Sequence, residues 1–588
     1  MKKSKYLTVI AVASALLFMN ACSEEFLEIT PNGSLDGSVL ATYEGVDALL
    51  IGAYAMIDGI DASFGWDATS SGWVYGSIRG LEANKGTDTG DQPDINPIQR
   101  YQETPTNPYL NNKWRVCFEG ISRCNSVIMV ANQALDAGTI ETDEYDSFIN
   151  QARALRGWYH LEAFRLFGDL NTGMYVPYVD ENTVQDELTN DVDIRNRIIE
   201  DLEMGTRLDL DMGAIGRFNK TVSQVFLAKA YMQLYRDYSN ALTLLSEVES
   251  SGKKPNGDDI GLAEKYGDIF DIENRNFIES VYTIQYSVND NSGGRNGGYG
   301  EVLNFPYKGG GSPGGCCGFF NPTQEFVNSF RTDASGLPFL DLASGAVTYN
   351  DEMVTNDQGV AIDAPYTEYA GQLDPRLDWS VGRRGIPYWD WGPHTGADWI
   401  RDQSYSGPYS PKKQVYKKSQ EGQYTEVGNW TSGYTANGYR LIRFADVLLL
   451  KAECEAMTGS DDLGFGEVNA IRARAMNPEG FVMEDDGVTP AANYVISEYP
   501  SSFGNQTEAM NAIMFERKLE LGQEGHRYYD LQRWGVVQSE LSRALTYEKT
   551  MPWADLLYGS AQVGPEDVNF PIPQRQIDLM LGRLVQNR

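Results

Sequence analysis

Residues 515–534, FERKLELGQEGHRYYDLQRW, constrain the fold more than any other stretch of the chain. Met510, Ile513, Met514 and Leu521 recur at helical spacing, which predicts a helix with a buried face. Gly522 and Gly525 interrupt the pattern, and Tyr528, Leu531 and Trp534 resume it at three-residue spacing, so a helical hairpin is expected. The charges are spaced as well. Glu516, Glu520 and Glu524 fall on one face, and Arg527, Asp530 and Arg533 follow on the next helix. Such charges form either a solvated face or a partly buried ion-pair network, and the aromatics woven between them favour the network.

The runs 516–521, 524–527 and 530–535 closely resemble the C-terminal signature of the SusD/RagB family, surface lipoproteins that bind nutrients for outer-membrane transporters. Other words resemble the same family: Ala154-Leu155-Arg156-Gly157, Phe167-Gly168-Asp169-Leu170 followed by Val176-Pro177-Tyr178, and Leu373-Asp374-Pro375-Arg376-Leu377. Phe570-Pro571-Ile572-Pro573, with Ile577-Asp578 behind it, is similar to the family's terminal element.

The first 21 residues read as a targeting segment. Lys2, Lys3 and Lys5 precede an apolar run, 7–19, too short to span a bilayer. Met19-Asn20-Ala21-Cys22 resembles a lipobox, which would make Cys22 the lipidated N-terminus, and Ser23-Glu24-Glu25 resembles a surface-export tag. Plain secretion with Cys22 kept as a thiol is the alternative. Cys117, Cys124, Cys316, Cys317 and Cys454 remain, an odd set without CxxC spacing, so neither a disulfide framework nor a zinc site is expected.

The fold class expected is mainly α: a tetratricopeptide-like helical scaffold with an irregular, loop-rich subdomain holding a few short strands. One unit, 22–588, is expected to carry scaffold over about 40–250 and 440–588, with loop-rich regions over about 59–106 and 257–438. Helical faces run through 42–58, 113–135, 141–167 and 219–248, and again through Leu441, Ala445, Leu448, Ala452 and Ala456 into 468–475. Ala230-Tyr231 before Asn240-Ala241-Leu242 resembles the layout of tetratricopeptide helices. The run 281–288 alternates like a strand.

Catalytic motifs are weak. His160 and His526 read as structural, while His394 suits either loop packing or ligand contact. Gly310-Gly311-Ser312-Pro313-Gly314 has GxSxG spacing, but Pro313 lacks the backbone N–H that would help an oxyanion, and no strand-turn-helix surrounds it. The Gly-rich run 293–300 lacks the Lys and Ser/Thr of a phosphate loop. No cofactor is expected. Asp88, Asp91 and Asp94 form either a structural calcium site or a solvated acidic turn, without the EF-hand order. A net charge of −34 argues against nucleic-acid partners.

An aromatic share of 12% exceeds what a helical core needs and points to aromatic surface. Flat rings cover the C–H faces of sugars while polar side chains take the hydroxyls. Trp66, Trp73, Tyr75 and Arg79 in the first long loop, and Tyr299, Trp389 and Trp391 in the middle, are the candidate ligand residues, with Phe319 competing for the second contribution. The resemblance implies aromatic arcs supplied by loops after the first helix and from mid-chain. It further implies capture of an oligo- or polysaccharide at the outer membrane and delivery to a SusC-like TonB-dependent transporter. Peptide or glycopeptide capture, as in the RagB branch, is the alternative, and a surface glycan hydrolase is a third reading without a motif.

Overall fold

The computed structural model describes residues 40–59, 65–307, 311–428 and 430–588. The segment 1–21, Cys22 and Gly310 lie outside them. Helices start where a side chain can satisfy the first amides. The Gly45 amide donates to Thr42 Oγ1 (3.2 Å) at α1 (Tyr43–Ala55), and the Tyr109 amide donates to Asn107 Oδ1 (2.9 Å) at α2 (Pro108–Asp136). Next come α3 (Thr142–Phe167), α4 (Arg195–Gly205), α5 (Lys220–Ala230), capped by Asn219, and α6 (Tyr238–Ser251), capped by Asp237. The C-terminal helices are α7 (Phe444–Thr458), α8 (Phe465–Ala475), α9 (Gln506–Glu520), capped by Asn505, α10 (Arg527–Trp534) and α11 (Val537–Glu548).

Neighbouring helices pack in sequence order from α1 to α6, and α6 then packs on α7 although the middle of the chain separates them. Helices from both ends thus form one tetratricopeptide-like stack, as the residue spacing led one to expect. Eight short strands among the described residues pair two by two, all antiparallel. They are β1 (Ala83–Gly86) with β3 (Phe319–Pro322), β2 (Ser280–Ile284) with β8 (Tyr439–Arg443), β4 (Val381–Gly382) with β5 (Ser410–Pro411), and β6 (Thr425–Glu426) with β7 (Tyr434–Thr435). Leu441, expected on a helical face, lies in β8, because the chain pairs with β2 before it turns helical at Phe444.

The helical hairpin of α9 and α10 is a hub of buried charge. Glu516 binds Arg376 (2.6 Å) and Arg472 (3.0 Å). Glu520 binds Arg474 (2.6 Å), Arg443 (3.0 Å) and Arg376 (3.1 Å), and Glu524 binds Arg443 and Lys413, each at 2.7 Å. Asp374 holds Arg376 (2.7 Å), while Glu279 holds Arg474 (3.1 Å) and Arg443. Five cations therefore face five carboxylates, and none of these side chains is more than 3% exposed. On the other side of the hairpin, Arg517 joins Asp530 and Asp446 (2.9 Å each), and Arg533 joins Asp530 (2.8 Å) and Glu453 (2.7 Å). The family-like words thus meet in space: Asp374 and Arg376 come from one, Glu516 and Glu520 from another.

Burial alone would raise the Glu520 carboxyl, but Arg474, Arg443 and Arg376 outweigh it and hold it well below the usual carboxylate range. Glu524 is lowered in the same way, burial opposed by Arg443 and Lys413. Such groups stabilise the fold above the unfolded carboxyl pKa, about 4.3, and that stability drains away as pH falls below it. Steep acid unfolding is therefore expected below about pH 4 in circular-dichroism titrations. Glu520→Gln, which leaves three guanidinium groups short of a buried carboxylate, should cost about 3–5 kcal/mol in urea denaturation. Glu119→Gln, which breaks the exposed Arg123–Glu119 pair, should cost less than about 1 kcal/mol.

Candidate functional site

Close backbone contact decides which aromatics reach the surface. Gly525, at φ +76° in the α9–α10 turn, has no room for a Cβ, which would fall 2.1 Å from the Ser71 carbonyl oxygen. The π-helical segment Trp73–Ile78 therefore lies directly on the hairpin, and its side chains turn into the core. Trp73 is only 2% exposed, donates from Nε1 to the Gly300 carbonyl (3.1 Å) and meets Phe319 and Phe320 edge-on. The Tyr75 hydroxyl donates to the Asp67 carbonyl (2.6 Å). Arg79 is buried between Glu103 (2.7 Å) and Asp567 (2.9 Å), with Tyr101 and Phe570 over its guanidinium. Trp73, Tyr75, Arg79 and Phe319 thus belong to the core and offer no face to a ligand, contrary to the placement expected for the first three and considered for the fourth.

Trp66 and Tyr299 come together. Their rings stack at 5.6 Å, and Tyr299 stacks in turn on Tyr434 at 5.8 Å. Trp430 stands edge-on to Trp66 (6.5 Å) and to Tyr434 (5.9 Å). Trp66 is 9% exposed and Tyr299 half-buried, whereas Trp430 is 42% exposed. Trp430 rides on the loop between β6 and β7, and Tyr434 begins β7. Three separate segments therefore build one aromatic wall. Trp66 Nε1 donates to Gln92 Oε1 (3.3 Å), which also accepts from the Tyr109 hydroxyl (2.8 Å), tying the wall to α2. The Gly-rich run 293–300 has a packing role: a Cβ on Gly294, at φ +84°, would lie 2.6 Å from the Tyr434 ring. Trp430 and Tyr434 are not among the residues singled out from the sequence. Their signal is an aromatic pair four apart in a Gly-, Ser- and Thr-rich turn.

Trp389 and Trp391 lie elsewhere, on a small hydrophobic cluster with Tyr388, Trp399 and Tyr416. Trp389 packs on Trp379 (5.1 Å), and Trp391 Nε1 donates to the Tyr416 carbonyl (2.8 Å). Both are half-buried. A groove of about 760 Å³ runs along α2 past Trp114, Arg115, Phe118, Glu119 and Arg123. Arg295, from the loop that carries Tyr299, also lines it, so groove and wall share a segment.

The titratable groups near these features are tied up. Arg401 binds Asp88 (2.7 Å) and Asp91 (2.6 Å), so a guanidinium takes the place suggested for calcium at this acidic turn. The carboxylates of Glu455, Asp462 and Glu467 also cluster, with Lys451 bound to Glu467 and to Glu455 (3.1 Å). Burial lowers His160 and His526 to about 4 and His394 to about 3, so all three are neutral at pH 7. His394 accepts from the Gly396 amide (3.0 Å) and lies 2.9 Å from Ser410 Oγ, which makes it loop packing rather than a ligand contact. Next to Tyr299, burial raises the Glu301 carboxyl despite hydrogen bonds from Ser71, Thr69 and Tyr286.

The sequence profile of the SusD family matches residues 278–588. The SusD-like protein P25 of Formosa agariphila is 21% identical, over 97% of this chain and 96% of its own. A SusD-like protein of Bacteroides ovatus is 22% identical, over 90% of this chain and 82% of its own. Among solved structures, surface glycan-binding protein A of Bacteroides thetaiotaomicron, in complex with laminarihexaose, superposes with TM-score 0.63 at 20% identity. That match covers 93% of this chain and 99% of the other. A laminarin binding SusD-like protein superposes with the same TM-score, 0.63, at 19% identity and the same coverage of both chains, 93% and 99%. No helix among the described residues is long and apolar enough to cross a membrane.

Removing a core ring and removing a wall ring should differ sharply in stability. Trp73→Ala is expected to cost about 3–5 kcal/mol in chemical denaturation. Trp430→Ala should stay within about 1 kcal/mol of the native value, since Trp430 is 42% exposed and sits on a surface loop.

Proposed function

Because the chain belongs to the SusD family, we propose that it captures an oligo- or polysaccharide, without cleaving it, at the wall formed by Trp66, Tyr299, Trp430 and Tyr434. The observation that carries this reading is the exposed indole of Trp430, braced edge-on by two buried rings. An apolar face held rigidly in water loses little conformational entropy when a sugar ring covers it. The laminarin named for two structures of the same fold makes a glycan the first ligand to test. Glu301, the carboxyl beside Tyr299, is buried and accepts hydrogen bonds from Thr69 Oγ1 (2.8 Å) and the Tyr286 hydroxyl (3.2 Å), so it is committed to packing, which suits capture rather than hydrolysis.

The captured glycan would pass to a SusC-like TonB-dependent transporter, with the helical stack facing that partner and lipidated Cys22 anchoring the protein to the outer-membrane surface. Affinity gels containing laminarin, xylan or yeast mannan test the capture step. Retardation by at least one polysaccharide is expected, reduced about ten-fold or more in affinity by Trp430→Ala and by Trp66→Ala, and unchanged by Trp391→Ala. No retardation in any gel, combined with salt-sensitive binding of basic peptides, would shift the function to peptide capture. Shortened polysaccharide after the run would mark an enzyme.

A further inference from the structure

Cys316 and Cys317 form a disulfide between adjacent residues. Cys117, Cys124 and Cys454 are buried free thiols, and burial raises all three, Cys117 to about 12. The pair therefore stands apart from the other described cysteines in both position and chemistry. Adjacent cysteines close a small ring that includes the peptide between them, so the bond adds nothing to long-range chain topology. What it stiffens is the turn 314–318.

That turn lies between the segments that carry the aromatic wall. On one side, Thr431 Oγ1 (2.7 Å) and the Ser432 amide (3.1 Å) both donate to the Gly314 carbonyl, directly after Trp430. The Gly314 amide donates to the Tyr416 hydroxyl (3.0 Å), which sits 3.4 Å from Ser432 Oγ. On the other side, the Gly318 amide donates to the Phe305 carbonyl (2.9 Å) and the Phe319 amide to the Leu303 carbonyl (3.3 Å), just beyond Tyr299. The Thr87 amide donates to the Gly318 carbonyl (2.5 Å) and joins the same turn to the end of β1. One short ring thus lies between the anchoring points of the two loops that bring Tyr299 and Trp430 together. Gly315 is exposed and Cys316 half-exposed, whereas Cys317 is buried, so a small thiol can reach one sulfur.

We propose that the Cys316–Cys317 disulfide is a positioning element of the aromatic wall and that its reduction by a small thiol weakens ligand capture. This rests on the glycan-capture reading above. A thiolate attacks Cys316 Sγ and releases Cys317 as a thiol; a second small thiol then resolves the mixed disulfide. Two cysteine thiols and one small-molecule disulfide result, with two electrons moved to the protein. The opened turn gains rotational freedom, and the hydrogen bonds at Gly314 and Gly318 no longer hold the two loops at one spacing. Stacking needs ring positions held to about 0.5 Å, so affinity falls while the helical stack is untouched.

The test uses full chain with Cys22→Ser, so that residue 22 contributes no thiol, in the oxidised form, after mild dithiothreitol, and as the Cys316→Ser/Cys317→Ser double variant. Thiol titration of the unfolded protein should count three thiols before reduction, from Cys117, Cys124 and Cys454, and five after. Reduced protein and double variant should both bind the retarding polysaccharide, among laminarin, xylan and mannan, about ten-fold more weakly than oxidised protein. Hydrogen exchange should rise in peptides covering 299–307 and 430–436 while far-UV circular dichroism is unchanged. Equal affinity in all three forms, or unchanged exchange in those peptides, would overturn the proposal. Absence of glycan binding by the oxidised protein would instead sink the capture reading, and exchange alone would then decide whether the disulfide positions the loops.

Discussion

The neutral, buried network centred on Glu516, Glu520 and Glu524 is the constraint from which the rest of the structure follows. A single charge withdrawn from water costs several kcal/mol, and only good geometry with full hydrogen bonding recovers it. Here the partners come from five places: Glu279 before β2, Asp374 and Arg376 in the middle of the chain, Lys413 after β5, Arg443 at the end of β8, and Arg472 and Arg474 on α8. Removing the middle segment would take Arg376 from Glu516 and Glu520 and Lys413 from Glu524, and removing the hairpin would leave five cations facing only Glu279 and Asp374. The network therefore specifies one arrangement of scaffold and middle region as much as it stabilises it.

That arrangement sets the position of the loops. With the hairpin fixed, the missing side chain at Gly525 lets the 71–76 backbone lie against it, which drives Trp73 and Tyr75 inward and leaves Trp66 to emerge next to Tyr299. Arg79 closes the same region onto Asp567, just before the terminal element, so the first long loop is tied at both ends of the chain. The aromatic wall is thus the outer edge of a structure whose inner edge is ionic. Its rings hold their positions because the segments behind them have none left to choose.

Helix positions were legible in the sequence because periodicity and capping are local: Thr42, Asn107, Asn219 and Asn505 each stand where a helix begins. The packed hairpin was legible for a related reason, since charges interleaved with Tyr and Trp have few other uses. Which aromatics face water was not legible. Trp73 and Trp430 have the same side chain and similar Gly-rich surroundings, and what separates them is the approach of a turn some 450 residues away in sequence, Gly525 against Gly72. Leu441 shows the same limit on a smaller scale, because an apolar residue at helical spacing serves equally well in a strand when a partner such as β2 is present. Spacing rules for cysteines weigh pairs that close long loops or bind metal, so a bond between neighbours falls outside them.

In the capture role proposed for it, an aromatic wall built this way would recognise shape more than chemistry. Tyr299 stacks on both Trp66 and Tyr434, which commits these rings to one another and leaves the indole of Trp430 as the wall's exposed ring. One exposed ring stacks on a single sugar at a time, and affinity for a polymer must then come from further contacts along its length. The groove beside α2 takes Arg295 from the loop that carries Tyr299, so the two features share one segment of chain. Its lining holds one half-buried ring, Phe118, with Trp114 buried and stacked on it at 4.7 Å, beside arginines that can donate hydrogen bonds.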